Sequence, residues 1–323
     1  MRYIDLHCDT LTEMRNGETL EHNERSVTLA RLQEAEVLIQ CCSIYIPTGT
    51  FKIEERTQCI NAEYQRVLDN YRHELMAHPN QLTPILTAQD VRDCERSDKT
   101  GILLTIEDGG VLLGDLNRLD LAYQNGVRLI TLTWNHENEL GFPNSTDHNC
   151  MSLGLKKRGL EMIDKMIEKG IVIDVSHLSD GGFKDVVRCA RKHGVPFVAS
   201  HSNARALTAH PRNMTDQMIR ELAECGGVMG LNFAPHFLSD SQPKDGISRI
   251  EDMVRHANYI KNIGGAEVLA IGSDFDGIDG TLEIPGPQQM WKLWDALRSS
   301  GFTERELDLM WSENAKRVLQ DIL

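Results

Sequence analysis

No stretch of this 323-residue chain approaches the run of about 18 apolar residues that a membrane-spanning helix needs, so a bilayer is not an expected partner. Positive charge is also scarce. Lys and Arg number 34 against 48 Asp and Glu, a net −14, whereas nucleic-acid binders cluster Lys and Arg to meet phosphates. The opening MRYIDLHCDT leaves no room for a basic segment and an apolar one before a strand pattern begins at Tyr3. No secretion signal is therefore recognised, and a cytoplasmic protein is expected. The eight cysteines lack CxxC spacing, and a chain of this length has no need of disulfide staples. Cys41 and Cys42, inside an apolar run, read as reduced, buried small residues. Internal repeats, low-complexity tracts and long Pro/Ser linkers are absent too, and residues 1–323 read as one domain.

Short apolar runs alternating with helical patterns are abundant. The runs are Tyr3–Cys8, Val37–Ile46, Ile102–Ile106, Val127–Thr133, Ile171–Val175, Pro196–Ser200, Gly227–Phe233 and Val268–Ser273. Their continuous apolar character suits strands buried on both faces of a parallel sheet. Helical patterns cover Ile53–Ala77, Met151–Lys169, Gly181–His193, Thr215–Cys225 and Ser248–Ile263, with Gly170 and Gly194 placed as helix-terminating glycines. Eight such alternations predict an α/β protein, a single (β/α)8 TIM barrel. An open doubly wound sheet would usually carry a glycine-rich phosphate loop after its first strand, and His7–Thr10 is nothing like one. Residues 51–80 and 142–150 read as decorations on the barrel.

Reactive residue types fall at the C-terminal ends of the predicted strands, where barrels build active sites. The first strand ends in His7-Cys8-Asp9, the third in Glu107, the fifth in His177, the sixth in His201 and the eighth in Asp274. On a strand, His7 and Asp9 share a face and can grip one ion, while Cys8 points the other way into packing. His177 and His201 meet across neighbouring strands. Glu107, between the two pairs in strand order, is placed to bridge two ions. Nitrogen and oxygen donors without thiolate suit Zn2+, with manganese or cobalt as substitutes, so two divalent metal ions are the expected cofactors. His22, His73, His78, His193 and His256 lack such a setting and read as surface or hydrogen-bonded core histidines.

The chain resembles the membrane (renal) dipeptidase family, peptidase family M19, among the amidohydrolase-like barrels. The likeness rests on DLHCDT at 5–10, TIEDGG at 105–110, LITLTWNHEN at 129–138 and VIDVSHLS at 172–179. It continues through SHSNARALTAHPRNMTD at 200–216, GSDFDG at 272–277 and SENAKRVL at 312–319. The resemblance implies His7 and Asp9 on one zinc, His177 and His201 on the other, and Glu107 between them. It implies that Asp274 handles the reaction proton and that Arg212 helps hold the tetrahedral intermediate. Animal-type members carry a His directly after LTLT, where this chain has Trp134; His136, two residues on, is the expected substitute in substrate binding.

The implied reaction is hydrolysis of dipeptides, two ions about 3.5–4 Å apart activating a shared water. A deacylase of N-acyl amino acids is the nearest alternative, since the metal cluster alone does not separate the two. A metal-binding scaffold without catalysis is a third, and Asp274 argues against it because a scaffold has no use for a proton shuttle. The expected partners are a small-molecule substrate and at most a second copy of this chain, with neither nucleic acid nor membrane.

Overall fold

The computed structural model describes residues 2–15 and 17–323. Eight strands are the apolar runs drawn together: β1 (Ile4–Cys8), β2 (Ile39–Tyr45), β3 (Thr100–Glu107), β4 (Val127–Thr131), β5 (Val172–Asp174), β6 (Val198–Ala199), β7 (Val228–Leu231) and β8 (Leu269–Ile271). Each pairs in parallel with the next, and β8 returns to β1 with Ile271 opposite Asp5, so the sheet is closed. This is the (β/α)8 barrel that the alternation predicts.

Two strands are much shorter than their apolar runs. β5 and β6 have three and two residues. The cause is Asp174 at the end of β5, whose Oδ1 accepts the backbone N–H groups of Ser176 at 3.0 Å and Ser200 at 2.8 Å. A side chain takes the place of ladder carbonyls there, and regular pairing stops without stranding the donors.

A ninth strand, Leu82–Pro84, has no counterpart in the sequence reading. It pairs with Thr100–Ile102 of β3, while β4 engages β3 only from Leu104 onward. The early residues of β3 would otherwise present a bare edge, and proline is tolerated in such an edge strand.

The helix Ile53–Ala77 runs over the expected residues. The helix expected over Met151–Lys169 instead divides into His148–Ser152 and Lys157–Lys169. Gly154 lies in the break, and Asp185 Oδ2 accepts the Leu155 N–H at 2.7 Å, so the link between the two helices keeps that donor paired. Gly170 at φ 70° and Gly194 at φ 67° close their helices in the left-handed conformation that glycine adopts freely. No helix among the described residues is long and apolar enough to cross a membrane.

Candidate active site

The strand ends converge on a buried cluster. Glu107 sits at its centre, with Oε2 3.3 Å from His7 Nε2 and Oε1 2.9 Å from His177 Nε2 and 3.6 Å from His201 Nε2. His7 Nε2 also lies 3.6 Å from Asp9 Oδ2 and 3.8 Å from Asp274 Oδ1. Three overlapping triads, His7/Asp9/Glu107, Glu107/His177/His201 and His7/His201/Asp274, each hold their ligand atoms within 4.8 Å of one another. Cys8 turns away and meets Cys42, sulfur to sulfur at 3.7 Å, in the packing role that strand alternation gives it.

A polar layer beneath these groups orients them. Ser200 Oγ donates to Asp174 Oδ2 at 2.6 Å and contacts His201 Nδ1 at 2.7 Å. Its single proton is engaged by the carboxylate, so it accepts from Nδ1–H, leaving a lone pair on His201 Nε2. Asn135 Oδ1, 3.0 Å from His177 Nδ1, does the same for His177. The two Nε2 atoms then face each other at 3.1 Å with Glu107 Oε1 beside them. Three acceptors converge with no proton between them, an arrangement that a cation satisfies. His7 Nε2 is buried and makes no hydrogen bond of good geometry despite the carboxylates around it. The residues present therefore fit divalent metal ions.

Protonation follows the same logic. Burial, reinforced by the Arg212 charge, pulls His177 down to about 4, and burial holds His201 well below the usual histidine range. Burial also opposes a charge on His7, but Glu107 and Asp9 outweigh it and raise that ring. Burial lifts Asp274 to about 7, aided by Asp9 and Glu107 and opposed by His7 and Arg212.

Asp274 Oδ2 accepts from Asn232 Nδ2 at 2.9 Å. Asp274 and His177 both occupy left-handed backbone, at φ 64° and 67°, a strained conformation for non-glycine residues of the kind that clusters at working sites. Gly277 closes the Asp274 turn, and a Cβ there would collide with the carboxylates of Asp9 and Asp274.

Above the cluster opens a cavity of about 420 Å³, lined by Glu107, His177, Arg212 and Asp274 together with Glu13, Tyr45, Trp134, His236, Phe237 and acids of the 276–279 loop. Arg212 is buried, donates to His201 O at 3.1 Å and Ser202 Oγ at 3.4 Å, and retains an unpartnered Nε. Trp134 packs against Tyr45 with ring centroids 5.1 Å apart and forms one wall. His136 is exposed and does not line the cavity; its ring lies beyond Trp134, with centroids 5.6 Å apart. The chain turns sharply after β4, so Asn135, and not His136, reaches the cluster. His22 is exposed, and His256 is buried and hydrogen-bonded to Leu238 O at 3.0 Å, both outside the site.

Sequence reasoning passed over Asp174, Ser200, Asn135 and Asn232. A signal existed: serine directly precedes His177, His201 and Asp274, in VSH, ASH and GSD.

A profile of the membrane dipeptidase family, peptidase family M19, matches residues 1–322. The chain is 35% identical over 256 residues to an uncharacterised protein encoded 5′ of pqqA in Klebsiella pneumoniae, covering 77% of this chain and 92% of that one. It is 28% identical over 262 residues to dipeptidase tcpJ of Claviceps purpurea, covering 80% of this chain and 58% of the fungal one. Among solved structures, a dipeptidase described as an M19 metallopeptidase superposes with TM-score 0.84 at 25% identity, covering 100% of this chain and 98% of that one. A Rhodobacter sphaeroides metallopeptidase, solved with a phosphinate mimic of L-Ala-D-Ala, shares the fold with TM-score 0.83 at 23% identity, covering 100% of this chain and 99% of that one. By the match across its length and the cluster in its barrel mouth, the chain belongs to the membrane dipeptidase family, peptidase family M19, a family of metal-dependent hydrolases.

Proposed function

We propose that this protein hydrolyses dipeptides with two divalent ions, most simply Zn2+. His7 and Asp9 would hold one, His177 and His201 the other, and Glu107 would span both. The observation that carries the reading is Glu107 itself, one oxygen facing His7 and the other facing the two remaining histidines. Bound divalent ions supply Lewis acidity, polarising the scissile carbonyl and lowering the pKa of water.

The remaining work falls to the chain. Asp274, buried beside the cluster and held by Asn232 Nδ2 at 2.9 Å, would carry a proton from the attacking water to the leaving amine. Arg212, which lines the cavity and is anchored through its terminal nitrogens, brings a positive charge that favours a developing oxyanion or a substrate carboxylate. Asp279 is paired with Lys244 at 2.8 Å on the same wall, so the acidity that suits a free α-ammonium group better than an acylated nitrogen comes from Glu13 and Asp276. A cavity of about 420 Å³ suits a dipeptide.

The test is a kcat/KM comparison of zinc-loaded protein on L-Ala-L-Ala, L-Ala-L-Ala-L-Ala and N-acetyl-L-alanine. Preference for the dipeptide supports the reading; comparable turnover of the N-acetyl compound replaces it with a deacylase.

A further inference from the structure

A second cavity, of about 360 Å³, lies at the other end of the barrel, where β1 and β2 begin. Its lining includes Tyr3 and three of the four tryptophans in the chain, Trp291, Trp294 and Trp311. Trp311 stands T-shaped to Trp294 with centroids 5.0 Å apart and lies 6.2 Å from Tyr3. It is held there by a π-helical turn, Leu309–Glu313, an irregularity frequent at functional sites. Trp291 remains 60% exposed at the rim.

The cavity offers acceptors to a positive hydrogen-bond donor. Glu34 and Glu36 line it, and no Lys or Arg does, so among the described residues the two carboxylates face it without a countercharge there. Glu36 has left-handed backbone, φ 51°, so a carboxylate occupies a position that glycine would take with less strain. Two further lining residues, Gln288 and Tyr3, carry buried oxygens without hydrogen-bond partners, the Gln288 amide oxygen and the Tyr3 hydroxyl. Aromatic rings attract cations through their negative faces, a carboxylate adds charge attraction, and an amide oxygen accepts N–H.

We propose that this cavity is a binding site for a small organic ammonium cation, separate from the hydrolytic centre. The apolar part of such a ligand packs among the tryptophans while its N–H groups meet Gln288 and the two glutamates. This site is independent of the dipeptidase reading, because no residue of the cavity belongs to the metal cluster.

The experiment uses n-butylammonium as probe and n-butanol as its neutral counterpart. Tryptophan emission is followed in the metal-loaded protein carrying Trp134→Phe, which leaves only the tryptophans of this cavity. Butylammonium is expected to change emission saturably in the millimolar range, and butanol not to. Glu34→Gln/Glu36→Gln and Trp291→Ala, each in that background, are expected to weaken binding roughly tenfold. The same substitutions in the otherwise unaltered protein leave dipeptide turnover as it was. Equal response to butanol, absence of saturation, or unchanged affinity in both variants overturns the proposal. Calorimetric titration of the unsubstituted protein, with and without the double Gln substitution, makes the same comparison without the Phe.

Discussion

Ser200 holds the imidazole of its own chain neighbour, with Oγ 2.7 Å from His201 Nδ1 and its proton committed to Asp174. The hydroxyl therefore selects which nitrogen of His201 is free toward the cluster. Ser200→Ala is expected to lower metal affinity by about 10–100-fold, the usual cost of losing such an outer partner. Zinc titration against a competing chelator measures this. Loss of fold without loss of affinity in the folded fraction would assign Ser200 to stability alone.

Glu107→Gln should lower metal content and activity together. An amide offers one neutral oxygen where the structure aims two carboxylate oxygens at three histidines. Elemental analysis and turnover of one preparation provide the check. Full metal occupancy with full turnover would contradict the bridging role.

Asp274→Asn should separate chemistry from binding. Asn232 still finds an oxygen at position 274, so the fold is expected to persist while kcat falls about 10²–10⁴-fold, the usual contribution of a general acid or base. Melting temperature, metal content and kcat measured side by side distinguish this from destabilisation. A kcat within a few-fold of the parent removes Asp274 from the proton path.

Gly277→Ala should damage the site through sterics alone, because the added methyl enters the space between Asp9 and Asp274. Activity is expected to fall by more than tenfold with little change in the distant helices, whose amide exchange can be followed by mass spectrometry. An Ala variant with parental turnover would show that the turn yields.

Acid should destabilise the chelator-treated protein through its buried histidines. His256 is pulled to about 4 by burial, against an ordinary 6.5. Between those values the unfolded chain binds a proton that the folded core refuses. Stability is therefore complete above pH 6.5 and declines as pH falls toward 4, by about 1.4 kcal/mol per unit for this one group. Urea unfolding at pH 4.5–6.5 should give a slope about one proton smaller in His256→Gln. Identical slopes would show that His256 titrates alike in both states.

The barrel was legible because its strands are buried on both faces and read as unbroken apolar runs. Leu82–Pro84 was not, since three residues carry no periodicity and the strand exists only to cover the edge of β3. The metal-type ligands were legible through their position at strand ends. Their supports were harder to find, because Asp174 meets Ser200 across 26 residues and Asn135 meets His177 across 42. His136 misled for a related reason: spacing does not reveal which way a chain turns after its strand, and here the turn presents Asn135. The Ser-ligand dipeptides were visible throughout, but their meaning needed the polar layer.

The seam between β1 and β8 passes through the working residues. Asp274 N–H donates to His7 O at 3.2 Å and Asp9 N–H to Phe275 O at 3.0 Å, joining residues more than 260 positions apart. Such pairings are the slowest for a chain to find, since the longest loop must close first. The ribosome must therefore release the chain through Phe275 before these ligands can assemble, and a chain that stops short of it has no complete cluster.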